Sequence, residues 1–415
     1  MTDAITYHSL NLDMYETAGI GVLALILGMF LTGKIGFLKR LCIPAPVSGG
    51  IIFSLVILAL HNWFHLEFSF DNTIKDICMM IFFTSVGFQS NLKVLKSGGR
   101  PLVVMVALVA ILIIVQNVIS TGIASAMGLD PLMGMAAGSI PMAGGHGTAG
   151  GFSPLLESMG INGASSITMA AATFGLLAGS VLGGPLAELI IRRRNLCSES
   201  EAEEDVITGI EVNAASPESR TPYSHSEEDE FRSFTKAVYQ LLIAMALGTL
   251  ISKGLALTGI TFPTYFGSLI AAALIRNLSE LSPKTTSLRM DKIISIGNVC
   301  LALFLGMAMV SLRLWELAGL ALPLITMLLA QVTFLAAFAY FVAFPLLGKG
   351  YDAAVLVSGL CGFGLGATPN AMANMSAVCF KYRYAVNPFI IVPIVGAMFV
   401  DLINTTVITI FLNIL

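Results

Sequence analysis

The chain has 415 residues, of which 56% are hydrophobic and 11% charged, with a net charge of −3 and a mean hydropathy of +0.86. Soluble domains use about 25% charged residues, so a water-soluble globular fold is excluded and a bilayer is the expected surroundings. No nucleic-acid partner is expected.

Ten apolar runs follow one another, most of them near the roughly 20 residues that a spanning helix needs. The first, 18–33, comes after Asp3, Asp13 and Glu16 with no Lys or Arg before it, which is not the basic lead of a cleaved signal peptide. It is expected to be a retained span with its N-terminus outside. Runs at 41–62, 77–91 and 101–126 follow, the third carrying the polar cluster Thr84, Ser85, Gln89 and Ser90. A glycine-rich stretch, 132–156, precedes the fifth run at 164–191. The segment 195–235 is acidic and too poor in apolar residues to fold, and reads as a cytoplasmic linker. The second half repeats the plan, with runs at 237–258, 262–275, 293–311 and 316–347, a glycine-rich stretch at 353–378 and a last run at 386–415.

Charge bias supplies the orientation. With the N-terminus outside, the segments expected inside hold all of the 22 Lys and Arg residues except Lys75, Lys253 and Arg313. Five spans are an odd number, so the second half starts on the opposite side from the first. The expected fold is an all-α polytopic membrane protein of two inverted repeats of five transmembrane helices, each with a glycine-rich re-entrant hairpin. The repeats are 1–194 and 236–415, with both termini outside and the linker cytoplasmic.

The two glycine-rich stretches carry the functional reading. Exposed backbone at membrane depth is tolerated only where protein buries it or a watery cavity receives it, and paired breaks in two halves point to a transporter's binding site. Gly144, Gly145 and Gly147 allow a sharp turn that presents N–H groups, with His146 and Thr148 adding polar side chains. Gly364, Gly366, Ala367, Thr368 and Pro369 form the counterpart. Helix ends at such breaks favour anionic groups, and unwound carbonyls can coordinate Na⁺. Close packing through small residues is the alternative, and it does not call for His, Thr and Pro among the glycines.

Ionisable residues inside apolar runs are the next candidates. Asp401 lies mid-run with Asn404 on the same helical face, which suits hard oxygen ligation of Na⁺, a salt bridge to Arg313, or a satisfied structural carboxylate. Asn298, Thr84 and Ser85 are further oxygen donors, and Arg313 either snorkels to the surface or reaches a substrate carboxylate. Catalytic motifs are missing. The sequence has no H-E-x-x-H, no C-x-x-C and no phosphate-binding G-x-x-x-x-G-K-[ST], so neither an enzyme nor an ATP-driven pump is expected.

The stretches Gly144-Gly145-His146-Gly147-Thr148, Cys361 to Pro369 with Asn374 and Met375, and Leu314-Trp315-Glu316-Leu317-Ala318 together resemble the sodium:glutamate symporter family of bacterial inner membranes. The similarity runs from Ile43-Pro44-Ala45-Pro46 through Phe82-Phe83-Thr84-Ser85 to the Asp401 segment. It implies Na⁺-coupled import of L-glutamate by an elevator-like movement, in a homodimer, with Na⁺ as coupling ion and no other cofactor. The alternatives are a Na⁺- or H⁺-coupled carrier of another small carboxylate, or a passive channel. The resemblance departs at Ser139 to Ala143, with its Pro141, at Ser85 and Gln89, and in the long linker.

Overall fold

The computed structural model describes residues 8–36, 38, 43–91, 99–196, 227–257, 262–263, 265–281 and 288–415. Residues 197–226 of the acidic linker and the basic residues Lys39, Arg40, Lys93, Lys96, Arg220 and Lys284 lie outside them.

Among the described residues, every apolar run contains a helix. In chain order these are α1 (Met14–Lys34), α2 (Ala45–Phe64), α3 (Thr73–Gln89), α4 (Gly99–Ala126), a short α5 (Pro131–Met135), α6 (Gly145–Ser158) and α7 (Ala164–Arg194). After the linker come α8 (Glu227–Ala256), α9 (Phe266–Leu281), α10 (Met290–Val310), α11 (Ala321–Leu346), α12 (Tyr351–Gly364), α13 (Thr368–Lys381) and α14 (Val386–Ile414). Among the described residues, eight helices are long and apolar enough to cross a membrane. Two of the ten expected spans fall short of that length: α3 has 17 residues and α9 has 16. This is a polytopic membrane protein.

The expectation of a purely helical chain needs one correction. His8–Leu12 (β1) pairs in parallel with Leu66–Phe70 (β2), His8 opposite Leu66 and Leu12 opposite Phe70. β2 alternates apolar and polar side chains, as β1 does from Ser9 onward, the two-residue period of a strand. Asp13 then starts α1 with a reciprocal cap: its carboxylate accepts from the amides of Tyr15 and Glu16, and its own amide donates to Glu16 Oε2 at 3.0 Å.

Glycines decide how closely the helices approach. A Cβ on Gly28 would lie 1.7 Å from the Ala45 carbonyl, and one on Gly49 1.8 Å from the Ala24 carbonyl, so α1 and α2 touch backbone to backbone. Gly248 and Gly267 do the same for α8 and α9, where a Cβ would meet Ser268 Cα at 2.3 Å and the Gly248 carbonyl at 2.2 Å. The helices sort into two packing groups. One holds α1–α3 and α8–α10; the other holds α4–α7 and α11–α14; contacts between the groups are sparse.

Within the second group, buried amides pin the backbone around the two breaks. Gln116 on α4 donates to the Gly364 carbonyl at 2.8 Å, and its own carbonyl accepts from Gln331 on α11 at 2.7 Å. Asn117 accepts from the Ser139 amide at 2.8 Å. Asn370 and Asn374 on α13 donate to the α7 carbonyls of Leu176 and Gly179 at 2.8 and 2.9 Å. A buried backbone group without a partner would cost about 1–3 kcal/mol, so these amides make an interrupted helix tolerable at this depth.

Candidate functional site

The two glycine-rich breaks meet. Gly145, at φ +59°, opens α6, and a Cβ there would sit 2.7 Å from the Gly366 carbonyl in the break between α12 and α13. Each break is followed by a fresh helix N-terminus, that of α6 at Gly145 and that of α13 at Thr368. The free amides and aligned dipoles of those first turns are thereby brought to one place, where they favour negative charge.

Beside the paired tips is a cavity of about 360 Å³, within the usual range for small-molecule sites. Its walls come from both packing groups. The tips, with Gly396, Val400 and Asp401 of α14, form one side; Pro44, Pro46, Phe82, Asn298, Leu301 and Leu305 form the other. Asp401 follows a π-helical turn, Val395–Val400, of a kind often found at functional sites. Within that turn Gly396 clears the way for Thr368, whose Oγ1 would be 2.4 Å from a Cβ at 396.

Most of the residues expected from the sequence come together here: Gly144 to Thr148, Gly366 to Pro369, Asn298 and Asp401 all line the cavity. The buried His146 has its Nε2 3.0 Å from the Thr173 hydroxyl. Because that hydroxyl donates to the Met169 carbonyl, His146 Nε2–H is the donor, and the ring is held against α7. Asn404 lies just behind the first tip, donating to the Ser139 carbonyl at 3.0 Å.

Four expected residues sit elsewhere. Gly364 faces Leu112 and Leu335. Thr84 donates to the Met80 carbonyl and Ser85 to the Phe82 carbonyl, both at 2.7 Å, and Ser85 packs over Gly297 of α10. Arg313 is half exposed, with Glu67 at 3.8 Å and Glu316 at 3.7 Å, so its ionic partners are these and not Asp401. It lines a second, polar cavity of about 430 Å³ beneath β2, together with Lys75, Glu157 and Glu316. Neither glycine tip reaches that cavity.

Tyr265 is a buried neighbour that the sequence reading passed over. It stacks on Phe83 at 3.7 Å, meets Phe152 edge-on at 5.9 Å and lies against Gly151 of α6. The only signal in the sequence was an aromatic residue at the start of a short apolar run, which reads equally well as lipid-facing.

A polytopic chain with two broken helices converging on a solute-sized cavity has the makings of a secondary transporter. Residues 10–384 match the sodium/glutamate symporter family. The chain is 38% identical over 409 residues to the sodium/glutamate symporter of Escherichia coli (strain K12), spanning 97% of this chain and 98% of that protein. It is 37% identical over 397 residues to the sodium/glutamate symporter of Haemophilus influenzae, spanning 95% and 96%. The chain belongs to the sodium/glutamate symporter family, whose members are transporters and not enzymes.

Proposed function

We propose that this chain is a Na⁺-coupled importer of L-glutamate in a bacterial plasma membrane, and that the cavity at the meeting tips is where glutamate binds. The carrying observation is the convergence of the α6 and α13 N-termini on one cavity that also holds the Asp401 carboxylate. Tip amides and Thr368 hold the substrate carboxylates, and Asp401 attracts the coupling cation. A membrane potential supplies about 2.3 kcal/mol per charge per 100 mV, so excess Na⁺ charge drives the anion uphill.

The architecture in this reading is two inverted repeats, 1–194 and 236–415, joined by the cytoplasmic linker, with both termini outside and each glycine-rich break the turn of a re-entrant hairpin. Three observations support it. The Gly28–Gly49 contact of α1 with α2 has its counterpart in the Gly248–Gly267 contact of α8 with α9. Each packing group takes matching parts of both halves. Lys75 and Arg313, two of the three cations that depart from the charge bias, share one polar cavity. The group holding both tips moves as the carrier against the other in an elevator-like step, in a homodimer.

Uptake of labelled glutamate into proteoliposomes under an inward Na⁺ gradient tests this function. Accumulation that saturates and requires Na⁺ is expected. Uptake indifferent to Na⁺ and abolished by collapsing a pH gradient overturns the sodium reading, and unsaturable downhill flux overturns the carrier. Light scattering of the purified protein in detergent checks the dimer.

A further inference from the structure

Asp401 is a carboxylate in the cavity wall with no hydrogen-bond or ion-pair partner among the described residues. Asp401 is partly buried, and a carboxylate within a membrane helix is costly and normally paired or bound to a cation. Asn404 and Thr405 follow three and four residues later on the same face of α14, and both are fully buried. The Asn404 amide nitrogen is committed to the Ser139 carbonyl, which turns its Oδ1 the other way, and that oxygen has no donor. Thr405 Oγ1 has only the Tyr265 hydroxyl beside it.

The first glycine tip lies against this face of α14. Thr148 Oγ1 is buried and unpartnered. Gly144 lies between it and Asn404, since a Cβ at 144 would be 2.5 Å from Thr148 Oγ1 and 2.6 Å from Asn404 Nδ2. The Tyr265 hydroxyl, just before α9, faces Asp401 and sits beside Thr405. Under-partnered oxygens gather here from three parts of the chain.

The donor set is one carboxylate and several neutral oxygens, with no nitrogen or sulfur ligand. Hard oxygen donors exclude soft metals, and a single negative charge balances a monovalent ion. Among the described residues no cluster of His, Cys, Asp and Glu suits a transition metal.

We propose that Asp401, Asn404, Thr405 and Thr148 form a Na⁺ site behind the first glycine tip, closed by the Tyr265 hydroxyl. This rests on Na⁺ being the coupling ion. It places Thr148 with the cation, and leaves Thr84 and Ser85 outside the site. Because Thr148 lies in the first turn of α6, a bound cation holds the turn whose amides meet the substrate. Na⁺ therefore raises glutamate affinity, and glutamate raises Na⁺ affinity by the same factor.

The test compares the full-length protein with its Thr405→Val, Tyr265→Phe, Thr148→Val and Thr148→Ser variants. Two readouts are taken: the Na⁺ concentration giving half-maximal glutamate uptake in proteoliposomes, and thermal stabilisation of the detergent-purified protein by NaCl against choline chloride. Thr405→Val and Thr148→Val are expected to raise both half-saturating concentrations roughly tenfold or more, while Thr148→Ser stays near the parent. Tyr265→Phe is expected to raise them by a smaller factor. If Thr405→Val and Thr148→Val are monodisperse and keep both values within roughly twofold, the site is wrong although Na⁺ coupling stands. A parent protein with no Na⁺-dependent uptake and no Na⁺ stabilisation removes the functional reading itself, and the site with it.

Discussion

Gly145 holds its backbone at φ +59° with the Gly366 carbonyl in the space a side chain would fill. Alanine there bears a left-handed penalty of roughly 1–2 kcal/mol and pushes the tips apart. Gly145→Ala is expected to reach the membrane and lose glutamate uptake by about tenfold or more, measured as initial rates normalised to protein. Normal rates would mean that contact between the tips is unimportant. Arg313 gives the opposite expectation. Its partners Glu67 and Glu316 are at 3.8 and 3.7 Å in a half-exposed setting, where such pairs contribute about 0–1 kcal/mol. Arg313→Gln is expected to leave the KM for glutamate within roughly twofold; a tenfold rise would return this residue to the substrate. Both residues attracted notice in the sequence for sound reasons. What the letters withhold is direction: glycine density marks close backbone approach, yet Gly366 faces the cavity while Gly364 faces Leu112 and Leu335.

The helices themselves were legible because apolar length alone demands them in a bilayer, where every backbone group must be satisfied internally. The strands were not, since a five-residue alternation beside a long apolar run is too short to register. The π-helical turn before Asp401 is a shift in hydrogen bonding rather than in composition, and Val395–Val400 gives no hint of it. Tyr265 shows the same limit, because burial between α3, α6 and α14 follows from tertiary packing. Helix contacts offer a direct check at this scale. Gly49→Ala drives a methyl into the Ala24 carbonyl, where neither backbone can yield cheaply. A loss of about 1–3 kcal/mol is expected, seen as a lower melting temperature in detergent. The distant Gly19, with nothing near its missing Cβ, should tolerate alanine.

Across the whole molecule, the cavity lies on the seam between the two packing groups, with walls drawn from each. If those groups move against each other during transport, a tether across the seam stops the cycle and a tether inside one group does not. Ser90, at the C-terminal cap of α3, donates to the Met398 carbonyl on α14 at 3.4 Å across the seam, whereas Glu188 and Lys381 pair at 2.8 Å within one group. In a cysteine-free background, Ser90→Cys with Met398→Cys is expected to transport until a bifunctional thiol reagent is added. Glu188→Cys with Lys381→Cys is expected to transport before and after. Equal inhibition of the two pairs would argue against relative movement. The seam was not visible in the sequence, because the segments on either side of it alternate along the chain.

The parallel pair of β1 and β2 also says something about how the chain is made. β1 precedes α1 and β2 follows α2, so the strands can meet only if the intervening helices return the chain to the face it left. During synthesis β1 must wait until both helices and residues 66–70 have emerged, and its register with β2 closes only over a correctly threaded pair. A correctly paired sheet thus requires that the first two helices have brought the chain back to the face it left. Removing residues 8–12 is expected to raise the fraction of chains whose α1–α2 loop labels from the wrong side with an impermeant thiol reagent, using a cysteine placed at Gly36.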